Sequence, residues 1–141
     1  VVDLAVTLVF GSYHAVDSSE LAFTTAGRIA MGTGMPQCIP ALLEPVYKVH
    51  VHVPNEFTPQ IQRLLSGRRG QILGFEAREG WEGWDSVSAH LPQVETNDLI
   101  IELRSVTRGV GSFNYEFDSL QELTGKLAED VVAARVKKDD A

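Results

Sequence analysis

The fold is decided by one stretch, Val46–Val53, whose sequence is Val-Tyr-Lys-Val-His-Val-His-Val. From Val49 onward a valine stands at every second position and alternates with histidine. A period of two predicts a strand with one apolar face and one polar face. We therefore expect a strand here, with Lys48, His50 and His52 on its second face.

The segments after this strand have a regular order. Thr58 and Pro59 favour a helix start, because threonine caps helices and proline suits their first turn. Apolar periodicity then predicts strands over 71–78, 85–91 and 111–117, helices over 96–106 and 124–136, and a frayed tail over 137–141. The order β-α-β-β-α-β over residues 46–117 is typical of an α+β fold, the ferredoxin-like split βαβ sandwich, with an antiparallel four-stranded sheet and two helices. In the last strand, Phe113, Tyr115 and Phe117 are expected to point inward.

The first 43 residues have a different pattern. Apolar side chains at even positions from Val2 to Phe10 predict a half-buried strand, and Asp17–Glu20 resembles a capping box that begins a helix. Gly32 and Gly34 are expected to end that helix. Because one strand and one helix cannot bury both faces of the strand, residues 1–43 are expected to be the strand–helix remnant of a βαβ domain. Residues 44–141 form the second predicted domain, with a C-terminal helix.

Composition limits the classes of function. The net charge is −7, so any contact with RNA must use local cationic patches rather than bulk charge. No apolar run is long enough to span a membrane, and we expect no membrane partner. The lone Cys38 cannot form an internal disulfide, which suits a reducing cytoplasm, and its apolar neighbours favour a buried structural thiol.

Three histidines are candidates for a metal site. His50 and His52 share one strand face, and His90 is expected beside them, because the first and third strands of a ferredoxin-like sheet are neighbours. The alternative is that all three are ordinary polar residues on the helix-free side. A small metal- or metabolite-binding regulatory domain is therefore the second hypothesis for function. An acylphosphatase-like enzyme is rejected, because the loop after the first strand is acidic and contains Pro54.

Aromatic and cationic side chains form two further groups. Trp81 and Trp84 lie in a predicted hairpin loop, where they either anchor a partner or cover the sheet edge. Arginines cluster near the ends of the two sandwich helices, where they either complement helix dipoles or contact phosphates. These residues are Arg63, Arg68, Arg69, Arg104 and Arg108. His14 lies in a polar turn just before the capped helix.

Several segments resemble elongation factor G, in the order expected for its C-terminal part. The stretch Val6–Phe23, with Gly11-Ser12-Tyr13-His14-Ala15-Val16-Asp17 inside it, resembles the end of domain IV. Leu42–Val46, Ser66–Ile72 and Leu103–Phe113 resemble domain V, which has the ferredoxin-like topology in that family. The longer, Trp-containing loop 79–85 and the two helix glycines indicate an elongation factor G-like paralogue.

The resemblance implies partners and roles. The parent factor would be a GTPase acting with the ribosome in translocation of tRNA and mRNA, or in recycling. This chain would have no catalytic residue and no cofactor of its own, since GTP and magnesium belong to a GTP-binding domain. The tip loop, expected to contact A-site tRNA and mRNA, comprises Gly11, Ser12, Tyr13, His14 and Asp17. The five arginines become candidates for ribosomal RNA contact.

The predicted first strand also carries a hazard. Without sheet neighbours it would present an unpaired edge and an exposed apolar face. We therefore expect residues 1–10 to associate with a second copy of the chain.

Overall fold

The computed structural model describes residues 1–139, which fall into two compact units, Val1–Pro40 and a second from Ala41 onward. The first unit contains one helix, α1 (Glu20–Gly34), followed by a short 3-10 turn, Met35–Cys38. The second contains four strands and three helices. Each unit is described by itself below. None of the helices in the described part of the chain is long and apolar enough to span a membrane.

The second unit is a four-stranded antiparallel sheet. Its strands are β1 (Leu43–Pro54), β2 (Gln71–Ala77), β3 (Trp84–Pro92) and β4 (Ser112–Glu122). The spatial order is β2-β3-β1-β4. Two helices, α2 (Thr58–Gly67) and α3 (Leu99–Val106), connect the strands. The predicted ferredoxin-like sandwich is therefore confirmed, because both the element order and the antiparallel pairing agree with it.

The core lies between one face of the sheet and the two helices. Val49, Val51 and Val53 of β1 are buried, and their neighbours in sequence, His50 and His52, are not. The helices supply leucines and one isoleucine to the same core, and β3 adds Val87, Ala89 and Leu91. The core members from the helices are Ile61, Leu65, Leu99 and Leu103. The alternation read from the sequence thus decides which face of β1 is covered.

The three aromatic residues of β4 lie on the predicted face of the sheet, but two of them are not buried there. Phe113 packs against the core, whereas Tyr115 and Phe117 are 57% and 60% exposed. All three pair with residues of β1 on the helix side of the sheet. The physical reason is length: α3 has only eight residues, and β4 continues to Glu122, beyond the helix. Periodicity thus predicts which face of the sheet a side chain lies on, but it does not predict how much of that face a helix covers.

The first unit differs from the prediction at its start. Residues 1–10 form no strand, and apolar side chains such as Val6, Leu8 and Phe10 are 70%, 89% and 84% exposed. A strand needs a partner for its backbone groups, and no other segment among the described residues pairs with this one. The prediction of a half-buried strand is therefore wrong. The predicted self-association through a strand edge loses that basis.

The helix of the first unit also begins later than expected. Its N-cap is Ser19, whose hydroxyl accepts a hydrogen bond from the Ala22 amide at 3.1 Å. The predicted box starting at Asp17 is wrong, because the residue three positions after the true cap is Ala22 rather than a glutamate. The helix runs through Gly32 and ends at Gly34, where the 3-10 turn continues it. Cys38, expected to be buried, is exposed.

The last helix, α4 (Gly125–Asp139), extends beyond its predicted end at Val136. The predicted frayed tail over 137–141 is therefore wrong for the first three of its residues, whose backbone is helical. Asp140 and Ala141 lie outside the described residues. Leu127, Val131 and Val132 of α4 are each about half exposed.

Candidate functional site

His14 lies in a short loop that is closed by its own backbone. The Ser18 amide donates to the His14 carbonyl oxygen at 2.9 Å, and the His14 amide donates to Ser18 Oγ at 2.7 Å. The first bond spans four residues, so residues 14–18 form an α-turn that does not continue as a helix. The loop thus has a defined shape although residues 11–17 are exposed.

The polar side chains of this loop are open to solvent. The His14 and Asp17 side chains are 78% and 82% exposed, and Tyr13 is 74% exposed. His14 Nδ1 lies 3.8 Å from Asp17 Oδ2, too far for a hydrogen bond but close enough for attraction when the imidazole is protonated. Gly11 and Ser12 are exposed as well. All five predicted tip-loop residues therefore lie on one exposed segment.

Arg68 has a structural position. Its side chain is only 15% exposed and donates to the backbone carbonyls of Glu95 and Asn97 at 2.7 and 2.8 Å. It also pairs with the Glu102 carboxylate at 2.9 Å, and this hydrogen-bonded charge lowers the pKa of Glu102. One guanidinium therefore joins the end of α2 to the turn before α3 and to α3 itself. Its donors are directed into the protein.

Arg69 is held in a similar way. Its φ of 61° lies in the left-handed region, which is uncommon for a residue with a side chain. Both of its terminal nitrogens contact the Glu44 carboxylate, and Nη1 lies 3.8 Å from Glu95. The hydrogen bond to Glu44 is the main cause that raises the pKa of Arg69. This pair ties the α2–β2 turn to the first residues of β1.

The remaining three arginines are different. Arg63, Arg104 and Arg108 are exposed, and none forms an ion pair or hydrogen bond with another side chain in the part of the chain that the structure describes. The five predicted arginines thus separate into two that are used internally and three whose donors are available. Burial and partners, which make this division, could not be read from the sequence.

Arg108 is presented by a rigid loop. Thr107 is fully buried, and its hydroxyl donates to the Leu103 carbonyl at 2.7 Å and accepts from the Gly111 amide at 2.8 Å. A Cβ at Gly111 would lie 2.7 Å from this hydroxyl, so the close approach requires glycine. Arg108 has φ 54° between these anchors and is held outward.

The three histidines lie together on the helix-free face, as expected. His50 pairs with Ser88 and Lys48 with His90 across β1 and β3. Their contacts are separate, however: His50 Nδ1 lies 2.9 Å from Ser88 Oγ, and His90 Nε2 lies 3.5 Å from Asp118. No group of three metal-ligating side chains is gathered among residues 1–139.

His52 differs from its two neighbours. Its Nδ1 is buried without a hydrogen-bond partner in the described residues. Burial, with the Arg78 charge adding to it, lowers the pKa of His52. This histidine therefore stays neutral at lower pH than an exposed one does.

Of the two tryptophans predicted to lie in the β2–β3 hairpin loop, Trp81 lies there, whereas Trp84 is the first residue of β3. Their ring centroids are 5.0 Å apart with an interplanar angle of 70°, and the Arg78 guanidinium carbon lies 4.1 Å from the Trp81 centroid. Trp81 remains 49% exposed. The loop thus combines internal packing with an open aromatic surface, and the anchoring of a partner stays a prediction.

Sequence reasoning missed the residues that hold the candidates in place. The sequence pattern assigns Ser18 to a helix cap, and it gives no reason to pair Glu44, Glu95 or Glu102 with the arginines. The spacing of Ser18 from His14 is a usable local signal, since serine hydroxyls often bond nearby backbone groups. The glutamate partners have no such signal, because they are 25 to 34 residues from their arginines.

Comparison with known proteins finds the same family in both units of the chain. A family model described as elongation factor G, domain IV, matches residues 1–38, and one described as elongation factor G C-terminus matches residues 41–131. An elongation factor G-like protein of Synechocystis sp. (strain ATCC 27184 / PCC 6803 / Kazusa) is 60% identical over 128 residues, covering 91% of this chain and 19% of that protein. A crystal structure from Thermus thermophilus matches with a TM-score of 0.79 at 37% identity, again covering 91% of this chain and 19% of the other. The chain thus spans about a fifth of the length of these relatives.

Arg68→Ala should destabilise the second unit by roughly 2 kcal/mol, because charge-assisted hydrogen bonds to two carbonyls and Glu102 are lost. Arg63→Ala, at an exposed position nearby on α2, should change the free energy of unfolding by less than about 0.5 kcal/mol. Urea unfolding followed by the fluorescence of Trp81 and Trp84 measures both. Equal effects of the two substitutions would show that Arg68 is not a structural bridge.

Proposed function

This chain belongs to the elongation factor G family, and from that premise we propose that it is a ribosome-contacting part of a translational GTPase. The parent factor would act in GTP-dependent translocation of tRNA and mRNA, or in a related ribosome step such as recycling. GTP and magnesium would be bound by a separate domain, since the present sequence holds no Gly-x-x-x-x-Gly-Lys-Ser/Thr segment. The chain itself would supply contacts and no hydrolysis.

The observation that carries this proposal is the His14 loop. It is fixed by two backbone-directed hydrogen bonds, and its polar side chains are almost fully exposed. A fixed, exposed and polar loop suits the probing of a crowded surface, because little conformational entropy is lost when it is contacted. We place its partners in the A site, as tRNA and mRNA backbone groups.

The role proposed for His14 is positional. A neutral imidazole offers one donor and one acceptor, which suits phosphate oxygens and ribose hydroxyls. Tyr13 beside it offers an aromatic face on which a base can stack. His14, Tyr13 and Ser12 together would block the return of the tRNA–mRNA pair by occupying its place. The energy for movement would come from the GTP-binding domain and the ribosome.

A second proposed contact uses the exposed arginines of the sandwich. Of the five candidates, Arg63, Arg104 and Arg108 have donors available for ribosomal RNA phosphates, whereas Arg68 and Arg69 are engaged by carboxylates. Because the whole chain carries −7, such a contact must be local. Arg108 is favoured, since its rigid loop presents the guanidinium at a defined place.

His14→Ala should weaken the binding of the chain to ribosomes roughly fivefold to tenfold, because hydrogen bonds to RNA are lost at the loop. Thr24→Ala on α1, an exposed position without a side-chain hydrogen bond in the described residues, is the control and should bind like wild type. Cosedimentation over a range of ribosome concentrations measures both constants. Unchanged affinity of His14→Ala would remove the proposed loop contact.

Arg108→Glu should weaken ribosome binding severalfold, because one phosphate contact is lost. The slope of log K against log salt, which is negative, should become shallower by about one. Lys126→Glu in α4 makes the same change of charge at another exposed position and should leave that slope nearly unchanged. The same sedimentation assay over a range of salt concentrations distinguishes them. Equal slopes for the two variants would show that Arg108 acts only through the net charge of the chain and not through a phosphate contact.

A further inference from the structure

Ser18 is bonded twice to one residue, and that residue is His14. Its hydroxyl oxygen accepts from the His14 amide at 2.7 Å, and its own amide donates to the His14 carbonyl at 2.9 Å. Both polar backbone groups of His14 are thereby satisfied by a single partner. Ser18 is also partly buried, whereas residues 1–17 are all exposed.

Within the described residues 1–40, no other hydrogen bond holds residues 14–18. The Asp17 carboxylate lies 3.8 Å from His14 Nδ1, which is beyond hydrogen-bonding distance. No apolar side chain of the first unit is buried, so tertiary packing does not fix the loop either. The next residue, Ser19, is committed to capping α1 through Ala22. The shape of the loop therefore depends on the pair of hydrogen bonds between His14 and Ser18.

We propose that Ser18 is a positioning residue for His14, whose backbone it fixes so that the imidazole is projected from the loop before the chain meets RNA. This inference rests on the proposed contact of His14 with the ribosome and adds the residue that prepares it. Ser18 need not touch RNA. Its removal leaves the His14 amide without an intramolecular acceptor and allows the loop to sample other conformations, so that binding must order it again.

The test uses the full chain and compares Ser18→Ala with Ser18→Thr and Ser12→Ala. Threonine keeps the hydroxyl, and Ser12 is an exposed serine of the same loop whose hydroxyl forms no hydrogen bond within residues 1–139. Amide hydrogen exchange at His14 and Ser18, measured by NMR, reports the loop in the absence of ribosomes. Circular dichroism verifies that α1, capped by Ser19, remains intact.

Ser18→Ala should speed exchange of the His14 amide roughly fivefold, because the hydrogen bond that protects this amide is lost. Ribosome binding should weaken by a similar factor, because the loop must then be ordered on binding. Ser18→Thr should restore both quantities, and Ser12→Ala should leave the exchange of the His14 amide unchanged. Rescue by threonine separates positioning from a general loss of structure.

Two results would overturn the inference. Unchanged exchange at His14 in Ser18→Ala would show that the hydrogen bonds do not hold the loop. Normal ribosome binding by Ser18→Ala, alongside weakened binding by His14→Ala, would show that positioning is not needed although the proposed contact is real. If His14→Ala itself binds normally, the proposed function fails at this loop, and the inference falls with it whatever the exchange rates are.

Discussion

The second unit depends on β1 being paired along both of its edges. β3 lies antiparallel to it from Val46 to Pro54, and β4 from Leu43 to His52. A strand with two partners has its backbone groups satisfied internally, so its valine face can be covered by α2 and α3 without a cost for buried amides. Because β3 and β4 pair with this central strand and α2 and α3 cover its valine face, it determines where the β2–β3 hairpin, Arg68 and Arg108 lie.

The two units hold their candidate contact surfaces by different physical means. In the second unit, tertiary structure does so: the loop of Arg108 is fixed by the buried Thr107 and by glycine at position 111. In the first unit, which buries none of its apolar side chains, local hydrogen bonds shape the loop of His14. Substitutions should therefore act on the Arg108 loop through global stability and on the His14 loop through local order.

Much of the fold was predictable because its signals are local in the sequence. The alternation around Val49, the helix start near Thr58-Pro59 and the order of elements over 46–117 each follow from a short local pattern. The predicted cap is wrong in detail, because Thr58 is the first residue of α2 and its hydroxyl donates to Asp85 at 2.6 Å instead of capping the helix. What failed depended on distant partners. The strand over residues 1–10 has the right period but no pairing neighbour among the described residues, and the exposure of Tyr115 depends on where α3 ends.

The candidate site also has a part that the sequence predicts and a part that depends on distant contacts. The position of His14 in an exposed turn was readable from the polar residues around it. The engagement of Arg68 by Glu102 was not, since the two residues are 34 positions apart and only the folded sandwich brings them together.

The central claim is that the His14 loop itself meets RNA on the ribosome, and a photoactivatable crosslinking residue placed at position 14 tests it most directly. The same residue at position 24 on α1 serves as the reference. After irradiation of the chain bound to ribosomes, we expect crosslinks from position 14 to tRNA, mRNA or ribosomal RNA, and far fewer from position 24. Crosslinks from position 14 that involve only protein, or RNA yields equal at the two positions, would contradict the claim.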